Sequence, residues 1–214
     1  MLMTTFASIN ITCAVCKKNF DSNEIASCGF ASKRTDFRPN YWGFNPVEYF
    51  YHLCPHCGFC ATKKIHEMNL NIKNIKRKID ELGFLEQTSL SQKLERAIKC
   101  IEILNELEIL TFNDFSLANS WLQLYWWSET EENTKKYGRI VLEYFSNALA
   151  KNQVPDDQII TTKYLMGEIN RRIGNKIQSL KIFDEVISLY QNNTDLKQIY
   201  DLAKQQKTNP KENL

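Results

Sequence analysis

Apolar positions recur at two different periods along the chain. Up to residue 62 they fall in short runs such as Glu48-Tyr49-Phe50-Tyr51-His52-Leu53, broken by glycine and proline, which is the texture of strands and turns. From Lys63 onward spacings of three and four take over, and the pattern becomes helical. Ile65, Leu70, Ile72, Ile75, Ile79 and Leu82 predict a first helix ended by Gly83, a residue that takes a left-handed cap at little cost. Ser89-Leu90-Ser91-Gln92 has the spacing of a capping box before a second helix through Leu94, Ala97, Ile98, Ile101, Leu104 and Leu107. Phe115, Leu117, Ala118, Trp121, Leu122 and Tyr125 predict a third. Ser128-x-x-Glu131 offers a second capping box before a fourth helix through Tyr137, Ile140, Val141, Tyr144, Phe145 and Ala148.

After Pro155 a fifth helix runs through Ile159, Ile160, Tyr164, Leu165 and Ile169 to Gly174-Asn175. A sixth carries Ile177, Leu180, Phe183, Val186, Ile187 and Tyr190, and a last one is expected from near Asp195 to Lys204. The connections are short and the apolar stripes wide, so successive helices should pair antiparallel and stack in layers. The expected fold is mainly α: a small N-terminal β zinc ribbon at 1–62, stacked antiparallel helical hairpins of tetratricopeptide-like form at 63–205, and a frayed polar tail at 206–214.

Composition adds exclusions. The 214 residues, 43% apolar and 24% charged, suit one or two globular domains, and a net charge of +2 is too small to hold nucleic acid by bulk charge. No run of eighteen apolar residues occurs, so no membrane association is expected. The chain also opens without the basic region and apolar core of a signal peptide, which points to a cytoplasmic protein.

Seven cysteines include two C-x-x-C pairs, Cys13-Ala14-Val15-Cys16 and Cys54-Pro55-His56-Cys57. Two residues between paired cysteines let a tight knuckle aim both sulfurs at one ion, and four thiolates are the ligand set of tetrahedral zinc. One structural Zn2+ held by Cys13, Cys16, Cys54 and Cys57 is the expectation. Such a set leaves no open position for a reactive water, which argues against a catalytic metal. Gly58 follows the second knuckle, where a residue without Cβ can adopt positive φ; Lys17 holds the same place in the first, so either modest strain or a looser knuckle is expected there. Cys28, Cys60 and Cys100 are read as buried, inert thiols. His52, His56 and His66 stand at no telling distance from a carboxylate or serine.

Between the knuckles, residues 33–46 mix cationic, aromatic and turn-forming types. Arg34 and Arg38 with Tyr41, Trp42 or Phe44 would suit phosphates and bases, as would the basic run Lys73, Lys76, Arg77 and Lys78. The favoured alternative is structural, with Asp36 and Asn45 bonding turn backbone and the aromatics packed on the helices. In the fifth and sixth helices Met166-Gly167, Gly174-Asn175, Ser179, Phe183 and Val186 stand at tetratricopeptide spacing, although Asn170 and Gln191 replace the usual aromatic and proline. Glu168 and Arg172, one turn apart, pair on a solvated face; the alternative is that Arg171 or Arg172 lines a concave groove and clamps a carboxylate of a partner peptide.

Cys13-x-x-Cys16, Arg34-Thr35-Asp36-Phe37, Tyr41, Asn45-Pro46-x-x-Tyr49, residues 54–59, Ala118, Trp121 and residues 164–175 together resemble the domain of unknown function 2225 family over about residues 11–190. Ala14 and Lys17 depart from that family's usual proline and glycine. The resemblance implies a zinc ribbon fused to tetratricopeptide-like helices and carries no assigned activity. With no phosphate-binding glycine loop and no nucleophile constellation, the expectation is a non-enzymatic adaptor for a protein or peptide partner, with a nucleic-acid-associated regulator as the alternative.

Overall fold

A computed structural model describes residues 5–70, 72–83, 85, 88–190 and 196–214, with the backbone alone for Ile72 and Lys73. The expected helix start at Asp195, the departure at Gln191 and the side chain of Lys73 lie outside the described residues. The chain forms two compact units, residues 1–31 with 41–112 and residues 32–40 with 113–214.

In the first unit β1 (Thr5–Thr12) and β2 (Asn19–Ser27) form an antiparallel hairpin, with Ile11 opposite Phe20 and both buried. Polar pairs line the hairpin's other face, among them Asn10 to Asp21 at 2.8 Å and Thr12 to Asn19 at 2.8 Å. After a 3-10 turn at Pro46–Tyr49, capped by the Asn45 side chain, come β5 (His52–Leu53) and β6 (Cys60–Ala61), an antiparallel pair of two residues each. Helices α1 (Lys63–His66), α2 (Ile72–Glu81) and α3 (Leu90–Glu106) complete the unit.

The composition break at residue 62 does not coincide with this division. Strands as short as β5 and β6 cannot bury their apolar face alone, and they pack on α3, where the Cys60 amide meets Cys100 Sγ at 3.4 Å. The single first helix expected from Ile65 to Leu82 is two: α1 ends at His66, and α2 begins at Ile72. Gly83 closes α2 with φ +73, as its spacing predicts, and the Ser89–Gln92 capping box forms in full.

The chain leaves the first unit along β3 (Phe30–Lys33) and returns along β4 (Pro39–Tyr41), two strands that pair with each other. The second unit holds α4 (Asp114–Trp126), α5 (Glu131–Ala150), α6 (Ile159–Arg172), α7 (Lys176–Leu189) and α8 (Lys197–Thr208), each packed on the next. Thr130 caps α5, its hydroxyl accepting from Asn133 N–H, so the box expected at Ser128 does not form and a simple cap lies two residues later. The Ser128 hydroxyl instead donates to the Tyr125 carbonyl at 2.8 Å, closing the end of α4. Gly167 lets α6 and α7 touch, since a Cβ there would lie 2.7 Å from the Phe183 ring, and Ser179 is buried. Ile177, expected on the apolar stripe of α7, is 88% exposed beside the turn at Gly174, whose φ is +92. Among the described residues no helix is long and apolar enough to cross a membrane.

Candidate functional site

Each cysteine pair lies in the turn between two strands of the first unit, and the two turns repeat one hydrogen-bond scheme. Cys13 N–H donates to the Lys18 carbonyl at 2.9 Å and Lys17 N–H returns to the Cys13 carbonyl at 3.0 Å; Cys54 N–H donates to Phe59 at 2.8 Å and Gly58 N–H to Cys54 at 3.0 Å. That closure needs a left-handed residue at the fifth position. Gly58 takes it at φ +71 and Lys17 at φ +60, a conformation costing a residue with a Cβ about 1–2 kcal/mol.

The four sulfurs of Cys13, Cys16, Cys54 and Cys57 all lie within 4.8 Å of one another. Cys13 to Cys57 and Cys16 to Cys54 are each 3.6 Å. An ion about 2.3 Å from four sulfurs at tetrahedral corners sets sulfur separations of about 3.8 Å, so the cluster has the dimensions of a metal site. Cys13 and Cys54 are buried, and Val15 N–H faces Cys13 Sγ at 3.4 Å, as an amide does toward a thiolate. Unaided, the thiols of Cys13, Cys54 and Cys57 compete for ionisation. Hydrogen bonds from Cys13 and Cys57 hold Cys54 down, while Cys57 is pushed up by its bonds to Cys13 and Cys54 and by burial. A cation is what lets all four become thiolates together.

The other sulfur and imidazole groups fall outside this cluster. Burial raises the Cys60 thiol and raises Cys100 to about 11, which keeps both protonated and unreactive. Cys28 is exposed, against the expectation of a buried thiol, because it sits past the end of β2 where the hairpin offers no cover. His56 is exposed in its knuckle. His52 and His66 are buried; His66 Nε2 lies 3.0 Å from the His52 carbonyl, and burial lowers the pKa of both.

Arg34, Arg38, Glu168, Arg171 and Arg172, considered for partners, collect in the second unit, whereas Tyr41, Trp42, Phe44 and Lys76 to Lys78 belong to the first. There the turn Arg34-Thr35-Asp36-Phe37-Arg38 closes with Arg34 N–H on the Arg38 carbonyl at 2.9 Å, and Phe37, at φ +66, packs against the Tyr164 ring in the helical core. Thr35, Asp36 and Glu168 are fully buried. Arg34 pairs with Asp36, its Nε 2.9 Å from Oδ1. Arg171 grips Glu168 through two bonds at 2.8 and 2.9 Å, and Arg172 Nε adds a third at 2.7 Å. The Thr35 hydroxyl lies 2.7 Å from Glu168 Oε1, while Arg172 donates to the same hydroxyl at 2.9 Å. Tyr164 O–H donates to the Thr35 carbonyl and Trp126 N–H to the Asp36 carbonyl, so the turn is bolted to α4 and α6. Arg38 donates to the Trp126 carbonyl at 3.3 Å and lies over the Trp127 ring.

Glu168 is therefore neither half of a solvated surface pair nor on an open groove wall. Its carboxylate is the centre of a buried network, because both arginines fold back over it and residues 32–40 cover it. The tail expected to fray is seated on the same network: Glu212 receives bonds from Arg171 at 2.9 Å and Arg172 at 2.5 Å. Glu212 carried no sequence signal. Thr35 and Asp36 carried a faint one, two small polar residues set between arginines with Asp36 diluting the charge.

A four-thiolate cluster on two matched knuckles, with a helical unit tied down by a buried turn, defines the class: a small zinc-ribbon-like module joined to helical hairpins, able to hold a metal ion. Residues 6–209 match the family described as uncharacterized protein conserved in bacteria (DUF2225), and the chain belongs to that family. No curated protein and no solved structure matches it.

Proposed function

We propose that the protein is a non-enzymatic adaptor of the reducing cytoplasm, in which one structural zinc ion at Cys13, Cys16, Cys54 and Cys57 folds the first unit and the tetratricopeptide-like helices present a surface to a protein or peptide. The observation that carries this reading is the closed set of four sulfurs within 4.8 Å. Four thiolates fill a tetrahedral ion and leave it no site for water or substrate. The two matched knuckles favour zinc over a redox dithiol, since all four sulfurs converge and the 3.6 Å contacts run between the knuckles, Cys13 with Cys57 and Cys16 with Cys54. Against the nucleic-acid alternative, Arg34 pairs with Asp36, Arg38 lies over the Trp127 ring with one bond to the Trp126 carbonyl, Lys78 pairs with Glu106 at 2.6 Å, and Arg77 lies 3.9 Å from Glu81.

Native mass spectrometry of the chain purified under mild conditions tests this. One zinc per chain, released only on unfolding, together with a retained polypeptide supports the adaptor. Absence of metal, or retained nucleic acid in place of polypeptide, overturns it. Cobalt substitution is a second check: the metal should show the absorption of tetrahedral thiolate cobalt and no change on adding azide, which binds only to an open position.

A further inference from the structure

Residues 211–214 lie beside the turn of residues 33–35 as an added strand. Thr35 N–H donates to the Glu212 carbonyl at 3.0 Å, and Leu214 N–H donates to the Lys33 carbonyl at 3.0 Å. Arg34 and Asn213 form the antiparallel bridge between them. One turn of chain earlier, the buried Gln206 side chain both accepts from Lys211 N–H at 3.0 Å and donates to the Lys211 carbonyl at 2.9 Å, standing in for a neighbouring strand. All of these contacts read backbone. The one side chain read is Glu212, whose carboxylate takes Arg171 and Arg172 at once.

Two features separate this seat from ordinary structural packing. Every residue from Asn209 to Leu214 is exposed, so no buried apolar side chain anchors the segment, and its hold consists of bonds to its backbone and one ion-paired carboxylate. The seat beneath it is buried and charged. Arg34, Arg171 and Arg172, with Arg38 close enough to interact with Arg34 and Arg172, outnumber Asp36 and Glu168, and Glu212 offsets part of the excess positive charge. The Thr35 hydroxyl, 2.7 Å from Glu168 and 3.1 Å from the Lys211 carbonyl, has a proton for either, so the seat keeps an internal partner when the strand leaves.

We propose that this seat is a peptide-binding site that takes an extended acidic peptide by strand addition, with residues 211–214 as its resident, exchangeable occupant. The site reads one glutamate through the Arg171–Arg172 pair and tolerates most residues around it. It excludes proline at the positions of Lys211 and Leu214, whose N–H groups are used, and accepts it at the position of Pro210. This names the partner class for the adaptor proposed above and rests on that reading only for there being a partner.

The test uses a labelled peptide, Asn-Pro-Lys-Glu-Asn-Leu with its C-terminus amidated, and its glutamine counterpart, titrated by fluorescence anisotropy into the full chain and its Glu212→Ala variant. The resident segment competes at an effective concentration in the millimolar range. Weakening it should therefore tighten binding of the glutamate peptide at least fivefold in Glu212→Ala relative to the unaltered chain. The glutamine peptide should bind at least tenfold more weakly than the glutamate one. Equal binding of the two peptides, no binding to Glu212→Ala, or displacement of the peptide by inorganic phosphate at concentrations where sodium chloride has no effect would overturn the proposal, the last result marking a simple anion site. Should Glu212→Ala fold poorly, Gln206→Ala weakens the same segment from the other side and must give the same ordering. Zinc content measured on the same samples reports the adaptor reading separately.

Discussion

Thr35 and Glu168 share a buried hydrogen bond of 2.7 Å across 133 positions of sequence, and neither side chain reaches solvent. A carboxylate in such a place is tolerated only when its oxygens are filled. Arg171 and Arg172 supply three of the donors, and the Thr35 hydroxyl supplies another while accepting from Arg172.

Replacing Thr35 with valine keeps the shape and removes the hydroxyl, leaving Glu168 one donor short and Arg172 one acceptor short. The expected loss is about 1–3 kcal/mol of stability in the second unit. Thr35→Ser, which retains the hydroxyl, should lose less. Urea denaturation with an unchanged m-value is the check, and equal midpoints for Thr35→Val and the unaltered chain would show that the bond contributes nothing.

Metal removal should act on the first unit alone. Cys54→Ser is expected to abolish zinc binding and to collapse the amide dispersion of residues 5–31 and 41–70 in heteronuclear NMR spectra, since roughly sixty residues of short strands hold only a thin core. Cys60→Ser, six residues away and outside the cluster, should keep the metal at one per chain.

Lys17 occupies a left-handed position that Gly58 fills without strain in the matching knuckle. Lys17→Gly should relieve about 1 kcal/mol in the folded state, offset in part by the greater freedom of glycine when unfolded. The expected outcome is zinc binding as tight as in the unaltered chain or tighter, measured by competition with a chromophoric chelator. Lys17→Val, a β-branched residue at the same φ, should bind more weakly.

The seating of residues 211–214 should depend on acid. Burial opposes ionisation of Glu212, but Arg171 and Arg172 outweigh it and hold the carboxyl below its ordinary value of 4.5. The sign follows directly: the free segment takes up its proton first, so the contribution is complete above that ordinary value and is lost as pH falls through the lower, seated one. A titration of the Leu214 amide resonance should show the seated position near neutrality and release on acidification. Glu212→Gln should remove the dependence.

The metal cluster was readable from the chain because its chemistry is local. Cys13-x-x-Cys16 and Cys54-x-x-Cys57 each carry the geometry of one turn, so spacing alone states which sulfurs converge and where positive φ is required. The helices were readable for the same reason: three- and four-residue periods describe one element at a time, and Gly83, Ser89-x-x-Gln92 and Gly167 mark an end, a start and a close contact that the structure contains. Errors arose where two local signals competed or where cover came from elsewhere. Ser128 and Thr130 both offer a cap to α5, and only the exit of α4 decides between them. Cys28 and Ile177 look buried by type but are exposed.

The sequence by itself determined the two knuckles and the helical stripes, because each depends on residues within one or two turns of each other. Tertiary structure alone decided that Arg34, Thr35 and Asp36 belong with the helices, that Glu168 is a buried hub, and that Glu212 returns to Arg171 and Arg172. Those pairings join charges more than a hundred positions apart or at the far end of the chain. A charge on a helix face looks the same in sequence whether water or a second strand completes its hydrogen bonds, and only the folded chain supplies the answer.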